Sequence, residues 1–289
     1  MKEKVSILSA NYNNGGFLDD FFDSISKQTY ENIEVVIVDD ASSDNSDSII
    51  KNWTGKLPFH IEYISLNENV GFANALNIGL KYCSGKYIAR LDPDDFISNN
   101  RIEMQVKYLL ENKDVSMVGS NAKYYQNDSG NFIGSSNFIK NSDWIVSKYR
   151  DAEYGMMHGT ILFRKECFLN VNYNQSHVPA EDYALISRMI VSGCKPANID
   201  EELTFVRIHS SSVSNNLPFS TIIKLFILRN EIFNIDFDFI NIMFKYLHFK
   251  FYRKFLSERK YFVRLFFLLL SALFSPVKTF KVIMKRLGL

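Results

Sequence analysis

Short apolar runs alternate with segments of helical periodicity through the first 110 residues. Strands are indicated at residues 5–10, 33–38, 60–66 and 86–91. The run IEVVIV at 33–38, apolar apart from Glu34, is typical of a strand that is covered on both faces. Between the strands, apolar residues recur at helical spacing, as at 17, 18, 21, 22 and 25. Because strand, loop and helix repeat four times, the pattern predicts a doubly wound, mostly parallel α/β sheet of the Rossmann-like kind.

The later part of the chain has a less regular pattern. We predict irregular strands over Gly119–Phe138, a strand over Thr160–Phe163, a helix over Asp182–Val191 and a last strand over Leu203–Ile208. Beyond Leu217 the composition shifts to Phe, Leu, Ile, Lys and Arg at helical spacing. The pattern therefore predicts an α/β domain over residues 1–216 and a C-terminal helical extension over 217–289.

Charge divides the chain at the same point. The net charge is +1, but residues 1–216 carry −8 and residues 217–289 carry +9. An acidic body repels phosphate backbones, so we expect no nucleic-acid partner. The three cysteines are widely spaced and form no CxxC pattern, which argues against a disulfide framework and fits a reducing cytoplasm. The first apolar run is too short for the core of a signal peptide, so we expect no export signal.

Polar clusters follow four of the predicted strands. They are Asn11–Asn13, Asp39-Asp40, Asn67–Asn69 and Asp92–Asp95. In an open parallel sheet, ligands bind beyond the carboxyl ends of the strands. The glycine-rich phosphate-binding motifs GxGxxG and GxxxxGK[ST] do not occur in the sequence. A phosphate ligand at these acidic strand ends would therefore need a bridging cation. Carboxylate oxygens are suitable ligands for Mg or Mn. The two Asp clusters are also compatible with helix-capping turns, and Asn67 and Asn69 are interpreted as turn formers.

Five motifs, in order and spacing, resemble glycosyltransferase family 2. They are VSILSANYNN, VVIVDDASSDNS, NENVGFANALNIGL, GKYIARLDPDD and PAEDYALISRM, and the resemblance covers roughly residues 4–214. The resemblance implies the GT-A fold, a nucleotide-diphosphate sugar donor and inversion at the anomeric carbon. It also implies Mn or Mg as the cation, UDP as the commonest nucleotide of the family, and a bacterial surface-polysaccharide enzyme.

The same resemblance implies roles for residues on the donor side. Tyr12 would line the nucleotide pocket, and Asp40 would hydrogen-bond the base with Asp39 beside it. Asp92 and Asp94 match the two acidic positions of the DxD motif. Asp94 would hold the metal across the diphosphate, and Asp92 would lie towards the ribose or the sugar.

Further roles are implied around the acceptor and the diphosphate. Asp182 resembles the catalytic base, with Glu181 as its neighbour on the acceptor side, although acids at the start of a helix are favoured by the macrodipole anyway. Arg207 and His209 are similar to an Arg-x-His segment near the metal or the diphosphate. His158 lies in a loose version of the acceptor-loop segment. A structural role is an equal alternative for His209.

Two other functions are weighed against a hexosyl- or N-acetylhexosaminyl-transferase. A nucleotidyltransferase on a related sheet would need a glycine-rich, basic phosphate loop near the N-terminus, and Asn11–Gly16 contains no Lys or Arg. An inactive nucleotide-sugar-binding protein would not need Asp92, Asp94 and Asp182, which are all present. Inverting transfer needs one base for the acceptor hydroxyl and one electrophile for the departing diphosphate.

The C-terminal extension is basic and rich in aromatic residues. Residues 245–289 hold 11 Lys and Arg and a single acid. The longest uncharged stretch, Leu265–Val277, is too short to cross a hydrocarbon core of ~30 Å. We therefore predict a peripheral anchor on the anionic inner face of the cell membrane, which would suit a glycan or polyprenyl-diphosphate-linked acceptor. The alternatives are a helical subdomain packed on the core, or a dimerisation surface of a homo-oligomer.

Overall fold

The computed structural model describes residues 2–127, 129–209, 219–236, 238–258, 260–276 and 279. The chain divides into two compact units, Met1–Asn216 and Leu217–Leu289. Residues 210–218, around the predicted domain boundary, lie outside the described residues. The assignment of the first unit to catalysis and of the second to membrane association therefore stays a prediction at this point.

A sheet of nine strands forms the centre of the first unit. In chain order the strands are β1 Val5–Asn11, β2 Ile33–Asp39, β3 His60–Ser65, β4 Tyr87–Arg90, β5 Phe96–Ile97, β6 Met117–Gln126, β7 Phe132–Ser135, β8 Leu162–Arg164 and β9 Pro196–Ile208. Their order across the sheet is β3-β2-β1-β4-β8-β6-β9-β5, with β7 paired to β6. The first four are parallel neighbours and β9 is parallel to β6, whereas β8, β5 and β7 run antiparallel to their neighbours. The predicted mostly parallel sheet is confirmed.

Helices cover both faces of β1 and β2. The helices of this unit are α1 Gly15–Ser26, α2 Ser46–Thr54, α3 Phe72–Tyr82, α4 Arg101–Glu111, α5 Ser142–Arg150 and α6 Glu181–Val191. Ile7 belongs to a core cluster with Phe21 of α1. The next residue, Leu8, points to the opposite face, where its Cδ1 would lie 2.5 Å from a Cβ placed at Gly79 of α3. Burial on both faces explains why these strands are mainly apolar along their whole length.

Several elements differ from the sequence prediction. Helix α5 was not predicted; it begins after Asn141, whose side chain accepts a hydrogen bond from the N–H of Trp144. Strand β9 begins at Pro196 rather than Leu203, and β8 begins at Leu162 because Thr160 belongs to a 3-10 turn. The two-residue β5 and the first half of β9 are stabilised by pairing with distant strands. Local periodicity carries no signal of such pairing.

The second unit is helical in its described part, which confirms the predicted helical extension. Its helices are α7 Phe219–Phe233, α8 Phe239–Ser257 and α9 Tyr261–Phe274. Within the described ranges, no helix has the length and apolar character needed to cross a bilayer. Part of the basic sequence, including the lysines and arginine after residue 279, lies outside the described residues.

Candidate active site

A cleft with a volume of about 600 Å³ opens at the carboxyl ends of β1, β2 and β4. The polar residues that line it include Asn11, Tyr12, Asp40, Asn69, Asp92, Asp94 and His209. They come from five separate stretches of sequence and meet because parallel strands end at one edge of the sheet. Tyr12 presents a half-exposed ring to the cleft. The structure thus brings together five of the residues singled out by sequence.

The two acids at the end of β2 have different surroundings. The carboxylate of Asp40 borders the cleft and accepts the N–H groups of Val70 and Gly71 at 2.7 and 2.9 Å. The carboxylate of Asp39 accepts the hydroxyl of Ser42 at 2.6 Å and is not part of the cleft lining among the described residues. Asp39 therefore stabilises the loop after β2 from within, whereas Asp40 is hydrogen-bonded to the residues that immediately precede α3.

A buried arginine supports the acid that follows β4. Arg90 is only 1% exposed, and its Nη2 donates to Asp92 Oδ1 at 2.5 Å. The two residues are two apart at the end of a strand, so their side chains leave the backbone on the same side. The guanidinium also lies 5.2 Å from the ring centre of Phe72, which lines the cleft. Burial raises the pKa of Asp92, the positive charge of Arg90 opposes the rise, and Asp94 adds to it.

Asp94 and His209 form a pair of candidate metal ligands. His209 Nε2 lies 3.0 Å from Asp94 Oδ2, and both residues line the cleft. No group of three or more Asp, Glu, His or Cys side chains in the described part of the chain could enclose a metal ion. A hard divalent cation is commonly held by one or two protein ligands, with substrate phosphates and water completing its shell. The oxygen and nitrogen donors of this pair therefore fit a cation that is shared with a diphosphate.

The turn after β4 carries a third, fully buried acid. Burial raises the pKa of Asp95 well above its usual range, and the two other acids of the turn add to the rise. Its Oδ1 accepts the backbone N–H of Arg207 at 3.0 Å. Arg101 is also buried, and its Nη2 donates to the carbonyl of Arg90 at 2.8 Å. Two buried guanidinium groups thus lie beside this acidic turn and offset part of its negative charge.

Two further acids begin α6. Asp182 Oδ1 accepts the hydroxyl of Tyr154 at 3.1 Å and the N–H of Tyr183 at 2.7 Å. Burial raises the pKa of Asp182 to about 6, although both hydrogen bonds lower it. Burial and the negative charge of Asp182 raise the pKa of Glu181 to about 7. The charge of Asp92 raises both pKa values, so the start of α6 lies within electrostatic reach of the cleft.

Two of the residues singled out by sequence lie elsewhere. His158 is buried in a 3-10 turn, with its Nε2 2.7 Å from the hydroxyl of Tyr173, and burial lowers its pKa well below the usual value. The guanidinium of Arg207 donates to Asp20 and lies 5.0 Å from the ring centre of Phe96. Neither residue is part of the described lining of the cleft. Their roles near the acceptor and the diphosphate stay predictions.

Sequence reasoning missed four residues of this region. Asn69, interpreted as a turn former, lines the cleft and donates to the carbonyl of Asp40 at 3.2 Å. Arg90 could have been found from its place two residues before Asp92 in an otherwise apolar strand. Tyr154 and Gly159 carry no local signal. A Cβ at Gly159 would lie 2.8 Å from Asp92 Oδ2, so this turn approaches the acid closely.

Sequence comparison identifies the family. The profile described as glycosyl transferase family 2 matches residues 6–192. An uncharacterised glycosyltransferase of Haemophilus influenzae is 33% identical over 219 residues, which cover 73% of this chain and 67% of that protein. The Escherichia coli protein WfaP, a UDP-Glc:alpha-D-GlcNAc-diphosphoundecaprenol beta-1,3-glucosyltransferase, is 30% identical over 225 residues, which cover 74% of this chain and 81% of that protein.

Solved structures show the same fold. Staphylococcus aureus TarS 1–349 in complex with UDP-GlcNAc superposes with a TM-score of 0.65 at 20% identity, over 89% of this chain and 76% of that one. The mannosyltransferase PcManGT of Pyrobaculum calidifontis, in complex with GDP-Man and Mn²⁺, gives a TM-score of 0.57 at 16% identity, over 96% and 73% of the two chains. The chain therefore belongs to glycosyl transferase family 2 and is a glycosyltransferase with the GT-A fold.

Proposed function

We propose that this glycosyltransferase moves a sugar, with inversion, from a UDP-sugar to a hydroxyl of a glycan or lipid-linked glycan in bacterial surface-polysaccharide biosynthesis. The observation that carries the proposal is the convergence of Asp40, Asp92, Asp94 and His209 on one cleft, with Asp182 within electrostatic reach of Asp92. Under this proposal, Asp40, Asp92, Asp94 and His209 serve donor binding, and Asp182 removes the proton of the acceptor hydroxyl.

The donor side of the site suits a nucleotide diphosphate. Tyr12 offers a ring face to a base, and Asp40 and Asn69 offer polar groups at the edge of the same cleft. Asp94 and His209 would hold Mn or Mg, which when bound stabilises negative charge on the departing diphosphate. WfaP is named for UDP-Glc, and TarS is seen with UDP-GlcNAc. These names support a UDP-sugar as the donor.

The base of the proposed reaction is Asp182. Its carboxylate takes the proton of the acceptor hydroxyl while the acceptor oxygen forms a bond to the anomeric carbon. The bond from that carbon to the diphosphate breaks in the same step, with its electron pair leaving on the diphosphate oxygen. A carboxylate whose pKa is raised to about 6 is ionised at neutral pH and is a stronger base than an ordinary Asp. The hydroxyl of Tyr154 holds it in place.

We propose a polyprenyl-diphosphate-linked glycan as the acceptor and the inner face of the cell membrane as the place of reaction. The name of WfaP states a diphosphoundecaprenol-linked acceptor for that relative. The basic second unit suits an anionic lipid surface, because each Lys or Arg near such a surface is attracted to its headgroups. A membrane-bound acceptor and a peripheral enzyme would then meet by diffusing along the same membrane surface.

A ligand panel tests the donor part of the proposal. Thermal unfolding is measured with UDP-, GDP- and dTDP-sugars, each with and without Mn²⁺. A ligand that binds the folded state alone raises stability by RT ln(1+[L]/Kd), so a UDP-sugar should raise the Tm most, and only with the cation. Stabilisation by GDP- or dTDP-sugars instead would overturn the choice of nucleotide. Metal-dependent hydrolysis of the stabilising sugar then separates an enzyme from an inactive binding protein.

A further inference from the structure

Helices α8 and α9 of the second unit form an antiparallel hairpin. The pairs in contact are Phe244 with Phe274, His248 with Ser271, Phe251 with Phe267, and Phe255 with Arg264. As the residue number rises in α8 it falls in α9, which defines the antiparallel register. One face of α9 is therefore covered by α8.

The opposite face of α9 is apolar and exposed. Phe262, Leu265, Phe266, Leu269 and Leu273, here called the α9 stripe, follow the i, i+3, i+4, i+7, i+11 spacing of one helix face. Their exposure ranges from 41% for Leu265 to 82% for Phe262. Single exposed apolar residues are ordinary on a protein surface, but a contiguous apolar stripe marks an interaction surface.

The helical hairpin that carries the stripe is basic. Glu258 is the sole acid in the sequence from Phe239 to Pro276. The ammonium group of Lys254 lies 5.2 Å from the ring centre of Phe267 on α9, and that of Lys250 lies 5.8 Å from the ring centre of Tyr246. Both lysines belong to α8, the helix that packs beside α9, so the hairpin combines the apolar stripe with positive charge on the neighbouring helix.

We propose that the α9 stripe is the surface by which this chain lies on an anionic lipid bilayer, a proposal that rests on the membrane location given above. The stripe has no polar group that a protein partner would need to satisfy, and hydrocarbon chains accept any apolar shape. A 14-residue helix is about 21 Å long, which is shorter than a hydrocarbon core of ~30 Å. The helix therefore lies in the interface plane, with the stripe in the acyl region and the lysines among anionic headgroups.

Vesicle co-sedimentation of the full chain tests the proposal. Vesicles contain phosphatidylethanolamine with phosphatidylglycerol, or phosphatidylcholine alone, and no sugar or metal is added. The variant Leu269→Gln/Leu273→Gln should bind the anionic vesicles about ten-fold or more weakly than the wild type. The matched control is Leu169→Gln, because Leu169 lies in the first unit and is as exposed as Leu273, 76% against 73%. The control should bind like the wild type.

A second variant keeps the test valid if the double variant fails to fold. Phe266→Trp preserves the aromatic ring, and its added fluorescence should be quenched by lipids brominated on their acyl chains. Unchanged binding of the folded Leu269→Gln/Leu273→Gln variant, or no added quenching in Phe266→Trp, would overturn the proposal. So would a dimer in solution that the double variant dissociates, since the stripe would then cover a second copy. Because no donor is present, failure here leaves the proposed chemistry intact.

Discussion

Asp94 Oδ2 and His209 Nε2 lie 3.0 Å apart, both residues line the cleft, and the proposed cation depends on these two donor atoms. Asp94→Asn replaces a charged oxygen ligand with a neutral amide, which binds hard cations poorly. We expect transfer to fall by about 10²-fold or more, with loss of Mn²⁺-dependent stabilisation by the donor. Thermal unfolding with and without Mn²⁺ measures the second effect. Full activity of chelator-treated wild type would contradict this role.

A second prediction concerns Asp182, the proposed base for the proton of the acceptor hydroxyl. Asp182→Asn keeps the shape and the acceptor atom for the Tyr154 hydroxyl but removes the base. Turnover should fall about 10²–10⁴-fold, while donor affinity stays nearly unchanged. Glu181→Gln serves as the comparison at the neighbouring acid. A larger loss in Glu181→Gln than in Asp182→Asn would move the base to Glu181.

The pH dependence of turnover reports on the hydroxyl of Tyr154. The base works when ionised, so activity should rise with pH through the pKa of Asp182, at about 6. The hydrogen bond from Tyr154 lowers that pKa, so Tyr154→Phe should move the acid limb to higher pH by roughly half to one unit. Tyr183→Phe is the matched control, because it leaves in place the hydrogen bond that the backbone N–H of residue 183 donates to Asp182. If the acid limb moved equally far in the control, the effect would come from looser packing around Asp182 and not from the lost Tyr154 hydrogen bond.

At the scale of elements, the 3-10 turn His158–Thr160 approaches the acid of the neighbouring strand end. A methyl group at Gly159 would lie 2.8 Å from Asp92 Oδ2. The other carboxylate oxygen of Asp92, Oδ1, accepts a hydrogen bond from Arg90. Gly159→Ala should therefore displace Asp92 and lower kcat/KM by about 10- to 100-fold with a small change in Tm. Gly134→Ala, with no atom within 4 Å of the added carbon, is the control. Wild-type kinetics in Gly159→Ala would show that the position of Asp92 is unimportant.

The elements also show what sequence can predict. Mainly apolar runs identify β1 and β2, and the common direction of β2 and β4 brings Asp40, Asp92 and Asp94 to one cleft. Arg90 has one local sign, its place two residues before Asp92, but its contacts with Leu8 and Phe72 arise only in the fold. Tyr154 is 28 residues before Asp182 in the chain. A partner such as Tyr154 is selected by tertiary packing and leaves no local pattern.

In the molecule as a whole, the two units carry opposite net charge, and we propose a different role for each. The acidic first unit contains the residues that match the family profile, and its cleft gathers carboxylates that a divalent cation would balance. The basic second unit exposes the α9 stripe, with Phe262 82% exposed. Chemistry and membrane binding are therefore expected to respond to different variants, the former to Asp94 and Asp182 and the latter to Leu269 and Leu273.

Metal-dependent transfer with inversion determines the configuration of the sugar that is released first. The UDP-sugar that stabilises the protein is hydrolysed with Mn²⁺, with water as the acceptor, and the first product is observed by proton NMR before it mutarotates. From an α-linked donor, one in-line displacement should release the β anomer, and this release should be lost in Asp182→Asn. Release of the α anomer first would rule out inversion.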